Sequence, residues 1–411
     1  MENLILFDDK SLIEHLKPFT YTRPIGDLRI GILTIREKWE KMLEAKISFH
    51  TQFHLSDKYQ CRIAAVNLLI NSAIIPDSAL VERIKQLPIY HALYDNNNII
   101  ALKLDATASR LFLGGQLPDQ LAMLDWKQPY TQVKRIWDIF SLNDAEIRKD
   151  FEILTFGRKS QPLEAHNRLL GSIDDLFIEE GAKIDCSILN TKTGPVYIGK
   201  DAEVLEGSML RGPLALCEHA ATKMGTKIYG ATTLGPHCKV GGELNNVVMF
   251  GYSNKGHDGF LGNAVIGEWC NLGADTNNSN LKNNYSEVKV WNYATDKLEN
   301  TNLQFCGLFM GDHSKCGINT MFNTGTVVGV AANIFGAGFP PKFIPSFSWG
   351  GADGFATYRP EEAVDAAERM MSRRNIELTH EDEQLLRTVF EQSMKYRHWE
   401  NNDDSNLNQK V

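Results

Sequence analysis

The sequence lacks any C-x-x-C pair, and its seven cysteines are an odd number. That argues for reduced thiols in a cytoplasm rather than a disulfide frame or a zinc site. No apolar run approaches the roughly 20 residues that a membrane-spanning helix needs. Basic residues are in deficit: 43 Lys and Arg against 51 Asp and Glu leave a net charge of -8. No global field is available to hold nucleic acid. The opening "MENLILFDDK" has neither a basic region nor an apolar stretch, so no signal peptide is expected. Glycine is missing from "FDDKSLIEHL" (7–16), directly after a short apolar run that reads as a strand. A backbone cradle for phosphate is therefore not expected there.

Glycine is plentiful elsewhere, and it keeps time. Stepping by six from Ile198 gives Val204, Leu210, Leu216, Thr222, Ile228, Leu234 and Val240. The beat resumes at Phe260, Ile266 and Leu272, and again at Met310, Cys316, Phe322, Val328 and Ile334. A glycine often follows the aliphatic, as at Gly199, Gly235 and Gly267. Period six fits neither a helix nor a flat strand and is the signature of a hexapeptide parallel β-helix. One aliphatic per short strand points inward, and glycine is expected at corners where φ is positive. Cys238 and Cys270 follow their aliphatics by four, so they read as small packing residues, as does Cys316.

Two stretches break the beat. One, 246–259, contains His257. The other, 277–302, is rich in Asn and Lys and reads as a loop or short hairpin extruded from the coil. Inserts in a solenoid collect on one face, often the binding face. No two of the eleven histidines are expected at an i, i+4 metal-ligand spacing on one helix, so metal catalysis is not expected.

Over 253–280, "SNKGHDGFLGNAVIGEWCNLGADTNNSN" resembles the acetyltransferase half of the bifunctional N-acetylglucosamine-1-phosphate uridylyltransferase/glucosamine-1-phosphate acetyltransferase family. The carriers are Gly256-His257, Leu261-Gly262, Ala264, Ile266-Gly267, Asn271, Gly273-Ala274 and Thr276. The resemblance implies a left-handed β-helix, a homotrimer and acetyl-CoA held between neighbouring prisms. It implies His257 as general base, Asn271 against the sugar and Ala274 beside acetyl-CoA. The chemistry suits an imidazole: an amine must attack a thioester as it loses a proton, and a base near pKa 6.5 can take it. The family's tyrosine is Phe260 here. A phosphate-gripping lysine falls on Asn245, an arginine on Lys227, and an insert lysine on Lys282 or Lys289.

In the first 160 residues, "NLILF" (3–7) and "NIIALKLDA" (98–106) read as strands and 27–43 as a helix, which suggests an α/β sheet. "LKPFTYTRPIGDLRIG" (16–31) resembles the segment after the phosphate loop of sugar-phosphate nucleotidyltransferases. That implies a shortened, diverged domain of that type, with Arg23 and Arg29 as phosphate contacts. Asp8 and Asp9 could hold Mg2+ where the family has its glycine loop.

The expected organisation is a nucleotidyltransferase-like α/β domain over 1–135, a helical connector over 136–172, a left-handed β-helix over 173–350, and terminal helices with a disordered tail over 351–411. The favoured function is acyl-CoA-dependent N-acyl transfer to an amino-sugar phosphate or nucleotide sugar. A rival is a sugar-1-phosphate nucleotidyltransferase, of UDP-GlcNAc pyrophosphorylase or glucose-1-phosphate thymidylyltransferase type, whose β-helix serves assembly. A second rival is a non-catalytic hexapeptide scaffold. The favoured reading implies a cytoplasmic protein with small-molecule partners, no nucleic acid and no membrane span.

Overall fold

The computed structural model describes residues 3–95 and 98–400. The tail expected to be disordered, 401–411, lies outside the described residues. The chain divides into two units: Met1–Leu16, Thr22–Leu28 and Leu33–Arg135 form one, and Lys17–Tyr21, Arg29–Ile32 and Ile136–Val411 the other.

The first unit is built on a six-stranded mixed sheet in the order Ile47–His50, Asn3–Phe7, Val66–Asn71, Asn98–Asp105, His91–Asp95, Ala122–Asp125. Asn3–Phe7 runs parallel to both neighbours, and its side chains are buried from Leu4 onward. The helix expected over 27–43 is shorter. It spans Ile35–Leu43 and starts at a capping box between Thr34 and Glu37. The residues before it cannot join. Gly31 sits at φ +84°, and the N–H groups of Gly31 and Ile32 donate to Asn143 (2.7 Å) and Asp150 (2.8 Å).

The second unit carries the coils, from the strand Arg168–Leu170 to Ser348–Gly351. Each turn of the left-handed β-helix lays down three short strands, and strands of successive turns pair in parallel. On the first face the inward column runs through Ile198, Leu216, Leu234, Met249, Ile266 and Met310. All six are essentially inaccessible to solvent. Cys238, Cys270 and Cys316 are buried in the same core. Burial pushes the Cys238 thiol up to about 12 and raises the other two, which suits packing rather than nucleophilic attack.

Three expectations need correction. The stretch 246–259 is no interruption: the coil runs through it, from the end of one shortened turn into the next. Leu216 pairs with Leu234, 18 residues on; Leu234 pairs with Met249, only 15 on; Met249 pairs with Ile266, 17 on. The lost residues destroy the six-beat in the sequence while the coil continues. In the next turn the inward residue of the third face is Leu261, paired with Leu244, so Phe260 points outward. The glycines after the aliphatics do not serve positive φ. A Cβ on Gly235 would lie 1.9 Å from the Phe250 carbonyl oxygen, and one on Gly199 would lie 2.7 Å from Cys217 backbone. They permit close approach of successive coils, while the positive φ falls on residues such as His219, His237 and Trp269.

The insert is a hairpin, Lys289–Asn292 against Lys297–Asn300. It folds back onto the coil rather than projecting: Val288 and Val290 are fully buried, and Trp291 stacks on Phe343 at 4.2 Å. The helix Pro360–Ser372 opens with Pro360 in its first turn and Glu361 and Glu362 beside it. A second helix, His380–Gln392, starts at a Thr379/Asp382 capping box. Among the described residues no helix is long and apolar enough to cross a membrane.

Candidate functional site: a basic groove on the second face

On the second face, outward side chains of successive turns stand above one another: Ala221, Lys239, Asn254, Asn271, Lys315 and Asn333. The helix Pro360–Ser372 packs by Ala363, Val364, Ala367 and Met371, and its C-terminal half walls a groove of about 900 Å3 along this row. His257, Asn271 and Ala274 all line it. The structure therefore brings together three of the residues that the sequence pointed to. His257 stands exposed at the corner after the second face, next to Gly273 and Ala274 of the following turn.

The groove's charge was not foreseen. Lys223, Lys239, Lys315, Arg369, Arg373 and Arg374 line it, and none of its lining residues is an Asp or Glu. In a chain of net charge -8 that concentration is specific. The cations burden each other: burial, then Arg374 and Lys223, hold the Lys239 ammonium below the usual lysine range. Lys315 is lowered by burial. Arg374 is anchored by donating to Asn254 Oδ1 at 3.2 Å. Like charges gathered at a half-open surface without carboxylates make an anion site. Beside the groove, rings at one corner of the coil stack in a ladder: His219, His237, Tyr252 and Trp269 at 4.7, 4.8 and 4.3 Å, then His313 at 6.4 Å. Tyr252 and Trp269 reach the groove wall. No group of three His, Cys, Asp or Glu among the described residues could hold a metal ion.

The remaining sequence candidates lie elsewhere. Lys227 is exposed on the third face, in a separate depression with Tyr229 and Glu243. Phe260 stands opposite Glu243 on the same face. Lys282 is held inside the insert, donating to the Glu287 carbonyl and to Ser286 Oγ. Lys289 is exposed on the hairpin. Arg29 is buried and donates to the carbonyl oxygens of Ile32 and, at 3.2 Å, Phe250, so its guanidinium is committed to backbone rather than open to phosphate. Arg23 is buried too.

Asp8 and Asp9 line a pocket of about 260 Å3 in the first unit, with Lys10, His50, Asn71 and Asn98. Asp8 accepts from Ile25 N–H (3.1 Å), Ser72 Oγ (2.6 Å) and Thr51 Oγ1 (2.5 Å). Burial outweighs these bonds and raises its carboxyl to about 6. Asp9 accepts from Ser11 N–H and Oγ as the N-cap of Lys10–Ile13. Both carboxylates thus have structural duties.

Residues 4–159 match the sugar nucleotidyl transferase family model. The chain is similar to the bifunctional sugar-1-phosphate nucleotidylyltransferase/acetyltransferase of Sulfurisphaera tokodaii, 29% identical over 145 residues, 34% of this chain and 35% of that one. It is also similar to the bifunctional protein GlmU of Methanocaldococcus jannaschii, 37% identical over 73 residues, 18% of this chain and 17% of that one. The alignments therefore span about a third and a sixth of these relatives. Among solved structures, Francisella novicida UDP-N-acetylglucosamine acyltransferase matches at 10% identity over 52% of this chain and 71% of that one. The TM-score of that match is 0.28. The N-terminal part thus resembles the sugar nucleotidyl transferases, and stretches of the chain are similar to bifunctional sugar-1-phosphate nucleotidylyltransferase/acetyltransferases.

Proposed function

We propose that the groove transfers an acyl group from acyl-CoA, with acetyl-CoA the first candidate, to the amine of an amino-sugar phosphate or nucleotide sugar. The observation that carries this is the meeting of His257, Asn271 and Ala274 in one groove lined by six cations and no carboxylate. Coenzyme A brings a diphosphate and a 3′-phosphate, and such a ligand needs cations on a surface free of negative charge. Arg369, Arg373 and Arg374 would take phosphates, Asn271 would contact the sugar, and Ala274 leaves room for the acyl chain.

In the reaction the amine nitrogen attacks the thioester carbonyl, and its proton passes to His257. The tetrahedral adduct collapses by breaking the C–S bond. The departing thiolate then accepts a proton, which restores the neutral imidazole. No covalent enzyme intermediate is required, in keeping with the buried, raised thiols of Cys238 and Cys270. A trimer in the cytoplasm belongs to the same proposal, as does a first unit that is a nucleotidyltransferase of little or no activity. Mg2+ at Asp8 and Asp9 would compete with the hydrogen bonds that both oxygens of Asp8 accept, whereas those of Asp9 fall on Oδ1 alone.

The test is a screen of amino-sugar phosphates and nucleotide sugars with acetyl-CoA, following free thiol. Acceptor-dependent thiol release supports the reading. Release from no acceptor, together with no binding of acetyl-CoA, sinks it.

A further inference from the structure

The inward column of the second face reads Val204, Thr222, Val240, Lys255, Leu272, Cys316 and Ile334. One member is a lysine. Lys255 is 1% exposed, where every other turn places an uncharged side chain. Its Nζ donates to the carbonyl oxygens of His257 at 2.8 Å and Gly241 at 3.0 Å. Burial pushes the ammonium down to about 8, against the pull of Asp258 and Asp275. A leucine or methionine would fill this position at no such penalty. A residue that breaks the local rule at a stability cost marks a functional constraint.

The corner that Lys255 grips is tied to its neighbours beyond His257, where the Asp258 carbonyl accepts from Asp275 N–H (3.1 Å) and the Gly259 carbonyl from Glu243 N–H (3.2 Å), and Lys255 holds the His257 carbonyl itself. The corner lies between Gly256 and Gly259 in the 17-residue turn that follows the 15-residue one, and Gly259 sits at φ +111°. Flanking glycines leave the backbone permissive. The His257 ring is exposed and makes no hydrogen bond among the described residues, so its direction rests on its own backbone. We propose that Lys255 is a positioning residue: from inside the prism its ammonium clamps the His257 carbonyl and so fixes how the imidazole is presented to the groove. This rests on the reading of His257 as the base.

The test uses the full chain labelled with 13Cε1-histidine, and Lys255→Met. His257→Ala identifies the His257 resonance among the eleven. Lys255→Met is expected to fold with no loss of melting temperature at pH 7. It should move or broaden the His257 line and leave those of His219, His237 and His313 in place. With an acceptor that the wild type turns over, kcat should fall about 10²-fold while KM for acetyl-CoA holds, as a misplacement of about 1 Å would give. An unchanged His257 line would overturn the proposal. So would loss of the fold in both Lys255→Met and Lys255→Leu, because the lysine would then be holding the prism. If the wild type turns over no acceptor, the acyltransferase reading fails while the resonance still decides the role of Lys255.

Discussion

Replacing Lys255 with methionine should have an effect on stability that depends on pH, in a direction fixed by burial. A lysine whose pKa is depressed in the fold destabilises it whenever the unfolded chain holds the proton and the fold resists it. The penalty is absent above about pH 10.5. It grows as pH falls and is complete below the folded value of about 8. The fall from an ordinary 10.5 to about 8 is worth about 3 kcal/mol. Methionine fills the column without the charge, and it forfeits the two hydrogen bonds to His257 and Gly241 at any pH. That loss cancels when one pH is compared with another. Melting temperatures of the two proteins, followed by circular dichroism from pH 7 to 10.5, isolate the charge. The variant should gain on the wild type by about 3 kcal/mol at pH 7 relative to pH 10.5, several degrees for a unit of this size. A difference flat across that range would show that the ammonium is solvated, and the argument for a retained, costly lysine would fall with it.

Arg369→Ala with Arg373→Ala should raise KM for acetyl-CoA at least tenfold and weaken its dependence on salt, since both side chains are exposed and their loss leaves the helix packed; an unchanged KM would place the phosphates elsewhere. Ile266→Asp forces an unpaired charge into a fully buried column position and should abolish soluble protein on expression; normal folding would mean the inward phase is misassigned. The first unit should release little pyrophosphate from UTP or dTTP with a sugar 1-phosphate. If it does so briskly, requires Mg2+, and collapses in Asp8→Asn with Asp9→Asn, the nucleotidyltransferase becomes the principal activity.

The prism was legible because its inner positions repeat. Leu234, Ile266 and Cys316 are where the six-beat puts them. It failed where two successive turns were cut to 15 and 17 residues, which set Leu261 rather than Phe260 inward and hid Lys255 in a stretch read as a break. No periodic reading could find a lysine in an aliphatic column. The helix over 27–43 was overdrawn because the hydrogen bonds of Gly31 and Ile32 run to residues more than a hundred positions away. His257, Asn271 and Ala274 were found by a local pattern, and they meet because adjacent turns stack. The cations were missed for the converse reason: Lys239 and Lys315 stand three turns apart on one face, and Arg369 and Arg373 arrive on a helix from beyond the coil. The i, i+4 spacing of those two arginines was the one signal available.

The central claim is that His257 takes the amine proton in acyl transfer from the basic groove. The direct measurement is turnover of acetyl-CoA with an accepted amino sugar by wild type and His257→Ala. The account predicts a fall in kcat of about 10²–10⁴-fold, with the fold and acetyl-CoA binding intact. An unchanged kcat in a folded His257→Ala protein would contradict it.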